Sequence, residues 1–250
     1  MELTPLQQRY LGLSSEGLGT YEVRFSSYQG HQEGFYHVQA LPRAWEALDE
    51  LCNDAARAGY VLVPCSAFRS FERQAQIVSA KFQGLRPILD AHEQPLNPIP
   101  EDGGERLRAI LRFSALPGCS RHHWGADFDI FAPNLLPEKQ SLQLTAKEYE
   151  QGSYFYELGQ YLRANLSRFG FVRPYCPTKA KNSSSSEPVS KKWEVGLEPW
   201  HISHLESAQP WAEAYEPEVA LEYLKQSDLP FAPYVEQLWS EDLVQALLRR

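Results

Sequence analysis

The sequence predicts an α+β fold in which helices flank a small antiparallel sheet. Two observations support this: strand-type apolar runs are short, and long helical or irregular segments separate them. At 250 residues the chain can bury a substantial core. We expect a single domain over residues 1–250, with the functional core at about 36–208 and a helical C-terminal extension at 209–250.

Helices are predicted where apolar residues recur at intervals of three or four, as at Leu48, Leu51 and Ala55. Ser70 marks the start of a helix, because its hydroxyl can cap the first turn, and glycines mark helix ends. In chain order, the predicted helices cover about residues 42–58, 70–82, 105–113 and 154–169. In the tail from residue 209 we expect helical segments broken by Pro217, Pro230 and Pro233.

Short runs of β-branched and aromatic residues predict the strands. They cover about residues 21–25, 60–63, 128–132, 171–173, 193–195 and 200–205. We expect Pro64 to end the second of these strands and the last two strands to pair with each other. Residues 86–104, which are rich in proline, and 177–190, which contain the run NSSSSEP, are predicted to be long loops.

Charge and composition exclude several classes of protein. The formal net charge is −8 and the basic residues are scattered, which argues against nucleic acid as a partner. No apolar run approaches the ~18 residues that cross a bilayer, and the first residues show no secretory signal. We therefore expect a monomer without a membrane span, cytoplasmic rather than periplasmic. The four cysteines lack metal-binding spacing and are expected to be reduced.

Two segments combine histidine with carboxylate: SRHHWGADFDI at 120–130 and EPWHISH at 198–204. A catalytic zinc site takes three nitrogen, oxygen or sulfur ligands and leaves one position open for water. His122, Asp129 and His201 would supply the three ligands, and Glu198 would remain as a base for the bound water. The pattern predicts a zinc hydrolase with one Zn²⁺ per chain.

A packed, hydrogen-bonded core is the alternative interpretation of two histidines beside a tryptophan. The metal site is favoured because two separate segments carry both ligand types beside strand-like residues. Gly125 permits a sharp turn that lets His122 and Asp129 point at one centre. Without that turn, a separation of seven would place the two side chains on opposite faces of a strand.

These residues resemble the motifs of peptidase family M15, the zinc D-alanyl-D-alanine carboxypeptidases and dipeptidases of the VanY and VanX type. The family motif S-x-H-x-x-G-x-A-x-D is matched by Ser120, His122, Gly125 and Asp129. A distant E-x-W-H is matched by Glu198, Trp200 and His201. A third element, S-x-Y-R-S-x-x-x-Q, resembles SAFRSFERQ, which contains Ser66, Arg69, Ser70 and Gln74. The three motifs occur in the family's order.

The resemblance implies a fold of the hedgehog and DD-peptidase type and a role for each matched residue. His122, Asp129 and His201 resemble the zinc ligands, and Glu198 resembles the general base that later protonates the departing amine. Arg69 resembles the arginine that stabilises the oxyanion. Substrate contacts are implied at Arg69, Ser120, Gln74 and Trp200. Ser120 would contact the terminal carboxylate, whereas for Trp200 we favour aromatic core packing over stacking on a ligand.

The implied reaction is attack by zinc-bound hydroxide on D-alanyl-D-alanine-type bonds. The substrates would be peptidoglycan stem peptides, their precursors or a D-amino-acid dipeptide. Zinc lowers the pKa of bound water to about 7, so hydroxide forms at neutral pH. The alternatives are a peptidoglycan endopeptidase or L,D-carboxypeptidase with the same chemistry, and a non-catalytic zinc-holding module that binds cell-wall peptide. Glu198 favours an enzyme, because a binding module has little need of this carboxylate.

Three further residues near the ligands are candidates for orienting them. Asp127 replaces the family's alanine and, in an extended segment, lies on the same strand face as Asp129. We interpret Asp127 as an acceptor that orients a histidine, with a rival metal ligand as the alternative. His123 and His204 are interpreted as structural residues or as residues that contact a ligand without touching the metal.

Overall fold

The computed structural model describes residues 1–26, 33–176 and 193–248, and the strands in these ranges form two antiparallel sheets. The smaller sheet is a hairpin of β1 (Gly19–Ser26) and β2 (Glu33–Ala40). The larger sheet contains β3 (Val63–Ser66), β4 (Asp127–Phe131), β5 (Phe171–Val172) and β6 (His201–His204). Its strands lie in the order β3-β4-β6-β5, so β4 and β6 are central.

The register of β4 and β6 separates a polar face from an apolar face. Asp127 lies opposite Ser203, and Asp129 lies opposite His201. Because side chains alternate along a strand, these four residues point to one side of the sheet. Phe128 and Ile202, which pair on the other side, are fully buried in the hydrophobic core. The sheet thus contributes one face to the core and the other to a cluster of ionisable side chains.

The helices of the described residues lie before, between and after the strands of the larger sheet. They are α1 (Pro5–Tyr10), α2 (Pro42–Arg57), α3 (Phe71–Phe82), α4 (Gly103–Ile110), α5 (Tyr156–Asn165), α6 (Leu205–Ala214), α7 (Pro217–Lys225), α8 (Ala232–Leu238) and α9 (Glu241–Leu248). Short 3-10 helices occupy Arg121–Trp124, Pro133–Leu135, Ala146–Tyr149 and Leu166–Phe169.

The helices predicted at 42–58 and 70–82 are confirmed with nearly the expected ends. The Ser70 hydroxyl accepts a hydrogen bond from the Arg73 backbone N–H at 3.1 Å, which caps α3 as expected. In α2, Leu48, Leu51 and Ala55 are almost completely buried, so the apolar stripe faces the core. Cap and stripe are both local features, which is why the sequence predicts them well.

Two predictions about elements are wrong. The strand expected at 60–63 lies at Val63–Ser66 and includes Pro64, because β3 is an edge strand where a missing N–H is tolerated. Residues 193–195 do not form a strand; the nearby Gly196 N–H donates instead to the Arg112 carbonyl at 2.7 Å. The expected break at Pro217 is confirmed: α6 ends at Ala214 and α7 begins at Pro217, whose fixed φ suits the first turn of a helix.

The predicted fold class is confirmed: the chain is α+β, with helices around small antiparallel sheets. Helices α7, α8 and α9 follow residue 209, so the tail is helical over most of its described length. The predicted loop at 177–190 lies outside the described residues. Within the described ranges, none of the helices has the length and apolar character needed to span a bilayer.

Candidate metal centre

His122, Asp129 and His201 converge on the polar face of the larger sheet. Each offers one ligand atom, and these atoms all lie within 4.8 Å of one another. His122 Nε2 is 3.2 Å from Asp129 Oδ2, and His201 Nδ1 is 3.2 Å from Asp129 Oδ1. All three residues are buried. The three predicted ligands are therefore brought together.

Local structure explains how residues on both sides of Gly125 reach one point. His122 lies in the 3-10 helix Arg121–Trp124, and Asp129 lies in the middle of β4. Gly125 ends the 3-10 helix with φ +73°, in the left-handed region that favours glycine. A Cβ atom there would also meet Leu18 Cδ2 at 2.6 Å. The predicted turn at Gly125 is confirmed.

Each histidine uses one ring nitrogen for a hydrogen bond and turns the other toward the cluster. His122 Nδ1 donates to the Ala67 carbonyl at 2.8 Å, which leaves Nε2 facing Asp129. His201 Nε2 donates to Asp127 Oδ2 at 2.8 Å, which leaves Nδ1 facing Asp129. Metal-ligating histidines typically make such a second bond, because it fixes the tautomer and the ring orientation.

Two polar atoms at the centre of the cluster have no hydrogen-bond partner among the described residues: Asp129 Oδ1 and His201 Nδ1. Leaving such buried atoms unsatisfied is costly. A metal ion between them would satisfy both. In a tetrahedral zinc site with ligands at 2.0–2.1 Å, neighbouring ligand atoms are about 3.3 Å apart. Each histidine nitrogen lies 3.2 Å from one of the two Asp129 oxygens, and one ligand atom from each residue lies within 4.8 Å of the others. Two imidazoles and a carboxylate thus surround one point, and this donor set fits a zinc ion.

Asp127 lies at the centre of a buried ionic network behind His201. Its Oδ2 also accepts from Arg121 Nε at 2.7 Å, and its Oδ1 accepts from the Ser203 hydroxyl at 2.9 Å. Burial by itself raises the pKa of Asp127, but the Arg121 guanidinium and the His201 ring outweigh burial and hold that pKa below its usual range. Asp127 is therefore an ionised acceptor that orients His201, as interpreted from the sequence.

Glu198 and Arg69 each lie beside one of the predicted ligands. Glu198 Oε2 is 3.4 Å from His201 Nδ1, the ring nitrogen turned toward the proposed metal. Arg69 NH2 is 3.5 Å from Asp129 Oδ2 and 2.9 Å from the Ser66 hydroxyl, to which it donates. Arg69 NH1 donates to Gln74 Oε1 at 3.0 Å, and Gln74 donates to the Ala115 carbonyl at 2.7 Å. The guanidinium is thus held in place by two side chains.

A cleft of about 380 Å³ opens beside the ligands, and it is lined by all the residues predicted to contact substrate. Among them, Ser120 and Gln74 are buried polar residues. Trp200 lines the cleft and also packs against Tyr149, with ring centroids 6.2 Å apart. Both sequence interpretations of Trp200, as a substrate contact and as core, are therefore compatible with its position.

His123 and His204 are buried but do not join the ligand cluster. His123 Nδ1 donates to the Arg69 carbonyl at 2.6 Å, and its Nε2 accepts from the Gly118 N–H at 2.9 Å. His204 alternates with Ser203 on β6, so it points away from the polar face and bonds the Ser207 hydroxyl at 2.8 Å. His123 thus supports the backbone of Arg69, whereas His204 belongs to the opposite side of the sheet.

Sequence reasoning missed Arg121 and Ser203 as parts of the site. Arg121 NH1 donates to the Leu248 carbonyl at the end of α9, at 2.7 Å, which no motif spacing indicates. Ser203 could have been found from the sequence, because it is two residues after His201 and therefore lies on the same face of the strand. The missed residues surround Asp127, the position where the chain departs from the family pattern.

Comparison with known proteins supports the motif analysis. The family model VanY, described as D-alanyl-D-alanine carboxypeptidase, matches residues 37–207. A curated protein of Haemophilus influenzae described as uncharacterized is 40% identical over 133 residues, which are 52% of this chain and 93% of that protein. A second uncharacterized protein of the same organism is 37% identical over 116 residues, 46% of this chain and 72% of that protein.

Solved structures show more distant similarity. "VanYB in complex with D-Alanine-D-Alanine" has 20% identity and a TM-score of 0.45, covering 82% of this chain and 90% of that chain. The LdcB LD-carboxypeptidase has 17% identity and a TM-score of 0.46, covering 84% of this chain and 80% of that chain. Similarities this distant carry no functional argument.

Proposed function

Because the chain belongs to the VanY family of D-alanyl-D-alanine carboxypeptidases, we propose that it is a zinc-dependent carboxypeptidase. Its substrates would be peptidoglycan stem peptides or their precursors, from which it removes the C-terminal D-alanine. The single observation that carries the proposal is the buried cluster of His122, Asp129 and His201, in which two central polar atoms lack partners among the described residues.

The metal would be held by His122 Nε2, His201 Nδ1 and the Asp129 carboxylate. A bound zinc ion would supply Lewis-acid polarisation of a carbonyl and a water nucleophile at neutral pH. The chain's contribution is to hold these three donors in the orientation that a metal ion requires. Ala67 and Asp127 do so through the second nitrogens of the two histidines.

Glu198 is the group proposed to move protons. Its carboxylate is next to His201 Nδ1 and lines the cleft, so an attacking water beside the ligands is within its reach. Glu198 would accept a proton from that water on a carboxylate oxygen. It would then donate the proton to the amide nitrogen of the departing D-alanine, since the amine leaves only after protonation.

Arg69 is proposed to stabilise the negative charge that develops on the carbonyl oxygen. Its guanidinium lines the cleft and is fixed by Ser66 and Gln74, so little reorganisation is needed during the reaction. Removing one preorganised donor of this kind typically costs about 100–1,000-fold in kcat. Ser120, also in the cleft, would contact the terminal carboxylate of the peptide.

The test is release of D-alanine from a synthetic peptide ending in D-alanyl-D-alanine. We expect release by the zinc-loaded protein, loss after chelation and recovery when zinc is returned. Mass analysis of the products distinguishes this reaction from cleavage of an internal bond or of an L,D-bond. No release from any such peptide at full zinc occupancy would contradict the proposed carboxypeptidase.

The matched variant is Glu198→Gln, which keeps the size of the side chain and removes its basicity. We expect zinc content to stay at one ion per chain while turnover falls at least about 100-fold, the usual contribution of a general base. A Glu198→Gln protein with wild-type turnover would show that the base is another group. Turnover lost together with zinc would instead indicate that Glu198 is a ligand.

A further inference from the structure

One wall of the cleft is a single face of α3. Gln74, Ile77 and Lys81 line the cleft and lie on neighbouring turns of this helix. Gln74 contacts Arg69, which in turn contacts Asp129, so the wall begins at the metal ligands. From Gln74 to Lys81 the helix rises about 10 Å, the length of roughly three residues of extended peptide. Lys81 is the basic residue at the far end of this row.

Lys81 is a half-buried cation that has no anionic partner among the described residues. Its ammonium group donates to the Ser114 hydroxyl at 2.8 Å, and in the described part of the chain no carboxylate lies within 4.0 Å of it. Burial lowers the pKa of Lys81, and the nearby Arg86 charge lowers that pKa further. A cation that gives up hydration without pairing destabilises the free protein, and a bound anion would relieve this cost.

The other charged groups of the cleft do not neutralise Lys81. Arg86 lines the same cleft, is exposed and likewise has no ion-pair partner among the described residues. Glu93 also lines the cleft, but its two carboxylate oxygens accept the backbone N–H groups of Ala146 and Lys147 at 2.6 and 3.3 Å. Glu198 lies close enough to favour the charged lysine, yet outside ion-pair distance. Within the described part of the chain, two cations therefore face the cleft without an ion-pair partner.

We propose that Lys81 and Arg86 form a subsite for a carboxylate of the peptide substrate, separate from the groups that act on the scissile bond. The inference rests on the proposed peptidase function and specifies its substrate class: peptides that carry a free carboxylate where the wall of α3 ends. A carboxylate on this subsite would pair with the Lys81 ammonium while Ser114 keeps its hydrogen bond.

The test measures peptide binding to zinc-loaded Glu198→Gln protein by calorimetry, so that turnover does not interfere. Three peptides ending in D-alanyl-D-alanine are compared: one with all carboxylates free, one with the C-terminal carboxylate amidated, and one with an upstream acidic residue replaced by its amide. We expect about tenfold weaker binding for one of the two amides, the value of a charge-assisted hydrogen bond. The carboxylate recognised by the subsite is the one whose amidation weakens binding only while Lys81 is present.

The quantity compared is the dissociation constant of the amidated peptide divided by that of the peptide with free carboxylates. In the Glu198→Gln background, Lys81→Met should bring this ratio close to one, whereas Lys81→Arg should retain most of it. Arg73→Met is the matched control, because Arg73 is an exposed cation on the same helix. The ratio should also fall with added salt when Lys81 is present and stay constant in Lys81→Met. If this ratio is equally large with Lys81 and with Lys81→Met for both amidated peptides, the subsite is contradicted while the proposed function stands. No binding of any peptide would overturn both the subsite and the proposed function.

Discussion

Asp127 hydrogen-bonds three side chains beside the proposed metal site: His201, Arg121 and Ser203. It holds the ring of His201 and is itself held by Arg121 and Ser203. Side chains that orient a ligand in this way typically change metal affinity about 10–100-fold when they are altered. Because Asp127 is completely buried, its charge is compensated only by these neighbours. This position therefore tests how far the site depends on residues that do not touch the metal.

We expect Asp127→Asn to weaken zinc binding about 10–100-fold, because the amide presents a donor to the His201 ring and leaves Arg121 without a full counter-charge. Competition with a chromophoric chelator measures the dissociation constant. Ser203→Ala, which removes a single hydrogen bond, should lose less, and the exposed Asp228→Asn should lose nothing. An Asp127→Asn protein that folds and binds zinc as tightly as wild type would refute this role.

The buried, neutral ring of His123 should make the free energy of unfolding depend on pH. Its two hydrogen bonds require a neutral ring, and burial lowers its pKa to about 3. The unfolded pKa is about 6.5, so between these values the unfolded chain binds the proton more strongly. Stability from this group is therefore complete above about pH 6.5 and is lost as pH falls toward 3. The expected slope is about 1.4 kcal/mol per pH unit.

Urea unfolding of zinc-free protein between pH 4 and pH 6.5 measures this slope. In His123→Asn the free energy of unfolding should depend less steeply on pH, although the variant is less stable overall. Other titrating groups are common to both proteins and cancel in the comparison. Equal slopes would show that the ring is already charged in the folded protein or that it does not titrate in this range.

At the scale of elements, α9 belongs to the site although it follows the region that matches the family, residues 37–207. The Leu247 side chain lines the cleft, and its carbonyl accepts a hydrogen bond from the Tyr175 hydroxyl. The Leu248 carbonyl accepts from Arg121, which holds Asp127. Carbonyl groups at the end of a helix need such partners. The last helix and the ligand-bearing strands thus support each other.

Leu247→Ala should weaken zinc binding severalfold in addition to destabilising the protein, because loosening the last turn of α9 loosens the contact with Arg121. The control is Leu224→Ala in α7, which also removes a buried leucine but lies outside the cleft lining. Each change should cost about 2–5 kcal/mol of folding free energy. Thermal melts and chelator competition measure the two effects. Equal zinc affinity in both variants would show that α9 does not influence zinc binding.

At the scale of the whole molecule, the ligands join segments that are distant in the chain. His122 precedes β4, Asp129 lies in β4 and His201 begins β6, so an ion bound to all three requires the folded sheet. A ligand that binds only the folded state stabilises it by mass action. Zinc binding should therefore be visible as stability of the entire chain, independently of any assay of activity.

We expect free zinc at 100 times its dissociation constant to add about 2.7 kcal/mol, which raises Tm by about 5–10 °C in a chain of this size. His122→Ala should lose most of this shift, whereas His92→Ala, at an exposed position, should keep it. The shift should also disappear in acid, because the ligands must be deprotonated. A full shift in His122→Ala would place the ion elsewhere.

Much of the candidate site was predictable because it depends on residue types that lie close together in the sequence. His122, Gly125 and Asp129 are close in sequence, and one left-handed glycine is sufficient to turn them toward one centre. Ser70 likewise caps its own helix. Pro64 was misinterpreted because its tolerance depends on whether β3 is an edge or a central strand, and this is a property of the assembled sheet.

The sequence by itself determined the fold class and predicted the types of the proposed metal ligands and the acidic residue beside them, because these follow from periodicity, donor chemistry and spacing along the chain. Only the tertiary structure decided that Asp127 orients His201, that Arg121 ties this carboxylate to the end of α9, and that Lys81 faces the cleft with no carboxylate of the described residues paired to it. The physical reason is that hydrogen bonds and buried charges depend on distances between remote segments. Those distances are established only when the sheet and the C-terminal helices pack together.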